Sequence, residues 1–538
     1  MTSILKYLNR ALLVLLLAAF AACSDNEGGN ESNGNGDDGN TETPADGDTY
    51  GYIKDTNGNP VEGVVVSDGY SCTATDAEGR YALTRNADAG FVFYSLPSAY
   101  KVSVDKTYKL PRFFARLQAG TARYDFTLEA LAAPEKRFDL ICIGDPQINE
   151  ASHAVRFKEE AGREIREYAA SAGVPCYGIT LGDHVNNKWT LFTNMVVALQ
   201  PEQTGVPVFA TIGNHDHEFP TADEKAARAK YESYFGPVDY SFNRGDVHVV
   251  SMDNVIHSCK ASADYEGGFT AAQYAWLKQD LSFVPKDKMV ILCVHIPFRG
   301  GWGTNSAHAD ADKYYDEVLV GSEMCIRDRV LDLLSQYEYA AIMSAHTHSN
   351  INYIHRKNGK EIFEHVTGTT CGAWWRSTVC TEGTPIGFGL YRIDGNRMEE
   401  WAYRSVRHDE QFQIRLYRAS DTFVGGAKYR FKQTGADQIV ANIWNWDPSW
   451  TVNVYENDVL SGQMTRNSDI DAWTVAYHIG LLNNTDSYRK SSDHMFHYTL
   501  KNPAAAVRVE AIDRFGNKYE QTVFTDPAEH PGDFHADF

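Results

Sequence analysis

A membrane-spanning segment is the first thing this sequence lacks. Its N-terminal apolar run, Ala11 to Phe20, falls short of the roughly 20 residues a spanning helix needs. Positive charge is also scarce: 50 Lys and Arg stand against 71 Asp and Glu, for a formal charge of −21. The first 23 residues carry two positive charges and residues 24–48 carry eight negative ones, so the remainder still stands at −15. Phosphate-rich polymers bind basic surfaces, and an acidic body argues against a nucleic-acid polymer as the main partner. The nine cysteines show no CxxC or zinc-finger spacing, which removes thiolate metal sites of that kind. Residues 24–48 have no Lys or Arg and almost nothing apolar; they cannot form a core and read as a flexible acidic tether.

What is present begins with a secretion signal over residues 1–23, in which Lys6 and Arg10 precede the apolar run and small residues follow it. Phe20-Ala21-Ala22-Cys23 resembles a bacterial lipoprotein cleavage site, with Cys23 as the lipidated first residue; an ordinary secretory signal with an incidental cysteine is the alternative. The acidic stretch after Cys23 is similar to the surface-export signals of Bacteroidota lipoproteins. Together these imply anchoring through an N-terminal lipid to the outer membrane, at its periplasmic face or on the cell surface.

With 538 residues and 43% apolar content, the chain has material for two to four domains. Residues 49–132 alternate short strand patterns with Asn-Gly, Asp-Gly and Glu-Gly turns and resemble small β-sandwich modules related to carboxypeptidase regulatory domains. From about Lys136 apolar strand runs alternate with helical patterns at Phe157–Ala172, Ala222–Phe235 and Ala271–Phe283, which predicts an α/β domain over 136–406. Residues 407–538 return to strand patterns, including Phe412–Tyr417, Tyr429–Phe431, Gln438–Ile443, Thr451–Tyr455 and Ala506–Ile512. This predicts a second β-sandwich with Trp444, Trp446, Trp450 and Trp473 packed in its core, a surface cluster that binds sugars or covers the active site being the alternative. Cys142 and Cys293 fall inside strands as buried thiols, whereas Cys371 and Cys380 are spaced so that they could pair. Leu319 to Arg329 matches the in-frame translation of a transposon-end sequencing adapter. We read it as an assembly artefact, a genuine helix end being the alternative.

Five polar motifs carry the chemistry. Gly-Asp-Pro-Gln (Asp145, Gln147), Gly-Asp-His (Asp183), Gly-Asn-His-Asp (Asn214, His215), Val-His-Ile-Pro (His295) and Ala-His-Thr-His (His346, His348) mostly follow apolar, strand-like runs. Polar groups after buried strands gather at the carboxyl edge of a sheet, where open α/β folds place ligands. Carboxylate, amide oxygen and imidazole are donors for hard-to-borderline divalent cations.

In this order the motifs resemble the calcineurin-like metallophosphoesterases, and the stretches Thr367–Trp375 and Gly383–Phe388 resemble lipoprotein members with flanking β domains. The resemblance implies a multidomain α/β plus all-β protein: a central αββα metallophosphoesterase sandwich between two β-sandwich domains. It further implies two divalent ions, one held by Asp145, Gln147, Asp183 and His348, the other by Asp183, Asn214, His295 and His346. Asp183 would bridge them, a metal-bridging hydroxide would attack phosphorus, and His215 would assist the leaving group. The ions are drawn from Mn, Fe, Zn and Mg, and Gln147, where the family usually has His, favours Mn because an amide oxygen is harder than imidazole. Ala345 replaces the usual Gly. Asn186 stands where purple acid phosphatases carry a metal-binding Tyr, which argues against a tyrosinate-ligated ferric site.

His184, His217 and His257 read as surface or supporting histidines, and Asn186 and Asp216 as candidates to orient His215 or Asp183. Arg299, Trp302, Trp374 and Trp375 are expected on loops that border the site, with packing and contact at the substrate rim as the two alternatives for them. The expected activity is hydrolysis of small phosphomonoesters or phosphodiesters outside the cytoplasm, with nucleotides or phosphorylated glycans as a narrower possibility. The contrasting reading is a cell-surface binding protein with a decayed phosphoesterase core.

Overall fold

The computed structural model describes residues 47–261, 264–299, 326–419 and 437–522. At its centre two mixed sheets pack face to face. The first runs in the order Val208–Thr211, Cys176–Leu181, Arg137–Ile143, Gly387–Asp394, Arg397–Ser405. Its first three strands are parallel and its last two antiparallel. The second sheet runs Tyr240–Arg244, Val247–Ser251, Met289–Cys293, Tyr339–Ser344, Lys360–Val366, Ile351–Lys357. Here the four inner strands are parallel and the two outer ones turn back antiparallel.

The parallel strands are covered on both faces, which is why they read as unbroken apolar runs. Every residue of Met289–Cys293 is buried, as is every residue of Phe138–Ile143. Between the sheets Phe209 stacks on Phe242, with ring centroids 3.8 Å apart and planes within 3°. Both rings are excluded from water. Phe209→Ala is expected to cost about 3–5 kcal/mol, the range for deleting a buried aromatic ring. A denaturant midpoint unchanged from wild type would contradict this packing.

Helices cover the outer faces and complete the αββα sandwich. Ala151–Phe157 and Arg163–Ser171, joined by a π-helical stretch at Lys158–Gly162, pack with Phe192–Leu199 on the first sheet. The helical region therefore begins six residues before the predicted Phe157. Ala271–Asp280 and Ile326–Leu334 cover the second sheet. Thr270 caps the former by accepting from the Gln273 amide, while the Gln273 side chain returns the bond, a capping box legible in the sequence. Asp223 likewise caps Glu224–Phe235. Residues 319–325 of the adapter-like segment lie outside the described residues; Ile326–Arg329 open the helix whose Val330 and Leu334 are buried.

Two all-β modules flank this core. The N-terminal one pairs a three-stranded with a four-stranded sheet. Its turns are closed by carboxylates: Asp55 accepts from the Asn57 and Asn59 amides, and Asp76 from those of Glu78 and Arg80. It docks on the centre where the Trp276 indole donates to Ser67 Oγ at 3.0 Å. The C-terminal module packs two four-stranded sheets around Trp450, Val454, Phe496 and Val509. Trp444 and Trp473 are fully buried, and Trp446 is half-buried against Phe496. Tyr429–Phe431 falls outside the described residues. Cys371 and Cys380 are both free and buried, so the pairing left open in the sequence is not formed. Cys142 and Cys293 are fully buried thiols.

Candidate metal centre

The parallel strands of both sheets deliver the five motifs to one edge. Asp145 and Gln147 follow Arg137–Ile143, Asp183 follows Cys176–Leu181, and Asn214 and His215 follow Val208–Thr211. His295 follows Met289–Cys293, and His346 and His348 follow Tyr339–Ser344. Five of these residues, Asp145, Gln147, Asp183, His346 and His348, hold φ between +35° and +65°, the left-handed region that non-glycine residues seldom occupy. Such a concentration of strained backbone marks a site whose surroundings over-determine it. The glycines beside the ligands make room for it: a Cβ on Gly213 would lie 2.3 Å from Asp183 Oδ1, and one on Gly182 2.4 Å from His295 Nδ1.

The donor atoms converge. His295 Nε2 lies 3.0 Å from Asn214 Oδ1, 3.0 Å from His346 Nδ1 and 3.3 Å from Asp183 Oδ1. Ligands about 2.1 Å from one ion stand about 3 Å from each other, so this spacing fits a coordination shell. Asp183, His295 and His346 form the His/Cys/Asp/Glu group close enough to hold an ion among the described residues. On the other side, Gln147 Nε2 donates to Asp183 Oδ2 at 3.3 Å, and His348 Nε2 lies 3.7 Å from Asp145 Oδ1. Asp183 thus touches both halves.

Further observations test the fit of a metal. The ring nitrogens facing away from the centre are engaged: His295 Nδ1 donates to the Leu181 carbonyl at 2.7 Å, and His348 Nδ1 to that of Gly372 at 3.3 Å. That fixes the tautomers and leaves both Nε2 lone pairs for a cation. Asp145 Oδ1 and Gln147 Oε1 are buried without a hydrogen-bond partner, a costly arrangement unless a ligand answers them. Burial drives the Asp145 carboxyl up to about 8, only partly offset by His295. Burial opposes charge on His295, yet Asp183 and Asp145 raise it to about 9. Burial, then Lys490, pushes His348 down to about 3, and burial with His295 drives His346 well below its ordinary value. These groups together call for positive charge at the centre, which His295 answers in the absence of a cation, and they offer the neutral imidazoles of His346 and His348 to bind one. The residues fit a divalent-metal site.

Family comparisons agree over most of the chain. Residues 125–350 match the model described as calcineurin-like phosphoesterase; residues 48–131 and 364–519 match those for the N terminal and C terminal of calcineurin-like phosphoesterase. The chain belongs to the calcineurin-like phosphoesterase family. It is 27% identical over 193 residues to purple acid phosphatase 23 of Arabidopsis thaliana, covering 33% of this chain and 36% of that relative. Among solved structures, the purple acid phosphatase PPD1 of yellow lupin (Lupinus luteus) is 15% identical. That match covers 51% of this chain and 53% of the other, with a TM-score of 0.35. The 5'-nucleotidase precursor of Thermus thermophilus is 8% identical, covering 50% and 54%, with a TM-score of 0.29. The phosphoesterase thus spans about a third of that curated relative's length.

Around the centre of this phosphoesterase, the structure adds groups that the motifs did not announce. Asn187, with φ +55°, pairs its Oδ1 with His215 Nδ1 at 2.9 Å. The residue expected in this role is its neighbour Asn186; adjacent asparagines in a polar loop give no signal to separate them. Asp216 accepts from the His184 backbone at 2.8 Å and from the Gly213 backbone at 3.0 Å, tying the Asp183 loop to the Asn214 loop. His184, His217 and His257 are buried, not on the surface. The first two are held by Asp216 at 2.9 Å and Asp253 at 3.1 Å.

The four rim residues separate. Trp375 is only 2% exposed; its indole donates to the Pro146 carbonyl at 2.8 Å and braces the Asp145–Gln147 turn from inside. Trp374, half-buried, lies 4.8 Å from the His348 ring, and both tryptophans line an open cleft of about 750 Å³. Arg299 lies instead in a second cleft of about 260 Å³, its guanidinium 5.6 Å from the Tyr353 ring. Trp302 and Cys23 fall outside the described residues.

Proposed function

We propose that this chain is a two-metal phosphoesterase that hydrolyses small phosphate esters, with Asp183 shared between the ions and His215 protonating the leaving group. The observation that carries this reading is the convergence of Asn214 Oδ1, His346 Nδ1 and Asp183 Oδ1 on His295 Nε2, at 3.0–3.3 Å, with the outward ring nitrogen of His295 already engaged. Asp145, Gln147 and His348 would complete the second half. Two bound divalent cations would supply Lewis-acid charge to the phosphoryl oxygens and lower the pKa of water in the site.

The protein's own groups do the rest. Asp183 is fixed by the His215 backbone amide at 2.9 Å and by Gln147, so its two oxygens are presented in opposite directions. Burial opposes its ionisation, but His295 and His215 hold it below the ordinary carboxylate range. Asn187 Oδ1 accepts the Nδ1–H of His215, so in the imidazolium form the second proton sits on Nε2, from which it would pass to a departing alkoxide and leave the neutral ring. The similarity to purple acid phosphatase 23 supports a phosphomonoester substrate. Gln147 supports Mn as the metal. The signal and Cys23 support a lipid-anchored protein of the outer membrane.

Phosphate release from p-nitrophenyl phosphate is the test. The chain loaded with Mn²⁺ is expected to turn over, to lose activity on dialysis against a chelator and to regain it with Mn²⁺. Turnover that is absent with every divalent ion, or indifferent to the chelator, would sink the proposal.

A further inference from the structure

We propose that the C-terminal sandwich completes the substrate site: its Leu482–Lys490 segment walls a cleft that selects phosphate esters of a polar ring, such as a sugar. The inference rests on the hydrolase reading and adds the substrate class. The cleft of about 750 Å³ is lined from the central domain by Asn149, Glu150, Asn186 and Trp374, and from the C-terminal module by Ser487 and Tyr488. It opens beside both working ends of the site. Trp374 lies 4.8 Å from the His348 ring, and Asn186 adjoins Asn187, which holds His215.

The wall is built in. His478 is fully buried and bridges the two domains, its Nδ1 donating to the Tyr488 carbonyl at 2.7 Å and its Nε2 meeting Ser377 Oγ at 2.7 Å. The Lys490 backbone amide donates to the Thr381 carbonyl at 2.9 Å. Lys490 Nζ donates to the carbonyl of Thr347 at 3.2 Å, the residue between His346 and His348. The C-terminal module is therefore tied to the backbone between the two candidate metal histidines. At Asp471, Arg415 and Asn442 add a buried junction that reaches the Gly383 carbonyl through Arg415.

The lining decides the ligand's character. Trp374 and Tyr488 meet edge to face at 5.3 Å, giving an aromatic surface beside the metal histidine. Two amides, a carboxylate and a serine surround it, with Arg376 lying 5.8 Å from the Tyr488 ring. Aromatic faces take the C–H face of a ring, while amide and carboxylate groups pair with its hydroxyls. A small alkyl ester would not reach these groups and would gain no binding energy from them, and that difference is a source of selectivity.

The test compares D-glucose 6-phosphate with methyl phosphate on the full Mn²⁺-loaded chain, by phosphate release and by calorimetric binding. Wild type is expected to favour the sugar ester by at least about tenfold in kcat/KM. Tyr488→Ala is expected to reduce that ratio about fivefold or more, chiefly through KM. Ser487→Trp, at an exposed position that should not disturb folding, is expected to reduce it as well by filling the cleft. A wild type without preference, or variants that keep the wild-type ratio, would overturn the inference. Binding of both esters without turnover would count against the hydrolase reading, and the ratio of their affinities then decides this one.

Discussion

Asp183→Asn is expected to lower hydrolysis by about 10³-fold or more, roughly 4 kcal/mol of lost transition-state stabilisation. The change keeps the side chain's shape and removes its charge, and the position is the one where charge matters most. Asp183 Oδ1 lies 3.3 Å from His295 Nε2, and Oδ2 accepts from Gln147 at 3.3 Å, so one carboxylate serves both halves of the donor set. An amide would turn an NH₂ toward one half and offer no negative charge to either. The site is 1% exposed at this residue, where solvent cannot make good the deficit. Because Asn matches Asp in volume, the fold should persist, and an unchanged thermal midpoint in the metal-free protein would separate a lost site from a lost structure. Activity within tenfold of wild type would remove Asp183 from the centre of the account.

His215→Ala is expected to show a loss that depends on the leaving group. Proton donation is worth about 10²–10⁴-fold where the leaving alkoxide is strongly basic, as from methyl phosphate. It is worth far less for p-nitrophenolate, which departs without help, so there the loss should stay within about tenfold. The structural ground is the pairing of Nδ1 with Asn187 Oδ1 at 2.9 Å, which commits the other ring nitrogen to proton exchange. Equal losses on both substrates would show that His215 binds or positions and does not protonate.

Much of this site was legible because its parts are local. Each ligand-bearing turn follows a strand whose apolar run marks double-sided burial, and Gly-Asp and Gly-Asn-His place small residues where a Cβ would collide with a neighbouring ligand. What the sequence hid depends on contacts far along the chain. Asn187 acts through His215, 28 residues away, and Trp375 braces Pro146 from 229 residues away. His184 and His217 could not be divided between surface and supporting positions, because the carboxylates that let them be buried, Asp216 and Asp253, lie 32 and 36 residues on. Local patterning also failed at polar elements. Thr465–Ile470, reading Thr-Arg-Asn-Ser-Asp-Ile, is an edge strand with mostly exposed side chains and no apolar alternation to reveal it. The helical start at Ala151 was missed because Glu150 makes no side-chain cap and the first turn shows only Ala154 buried before Phe157.

The most direct test of two metals sharing Asp183 is the metal content of the purified chain after equilibrium dialysis with Mn²⁺. Two ions per wild-type chain are expected, and fewer in Asp183→Asn. One ion or none in wild type, or two retained in Asp183→Asn, would contradict this.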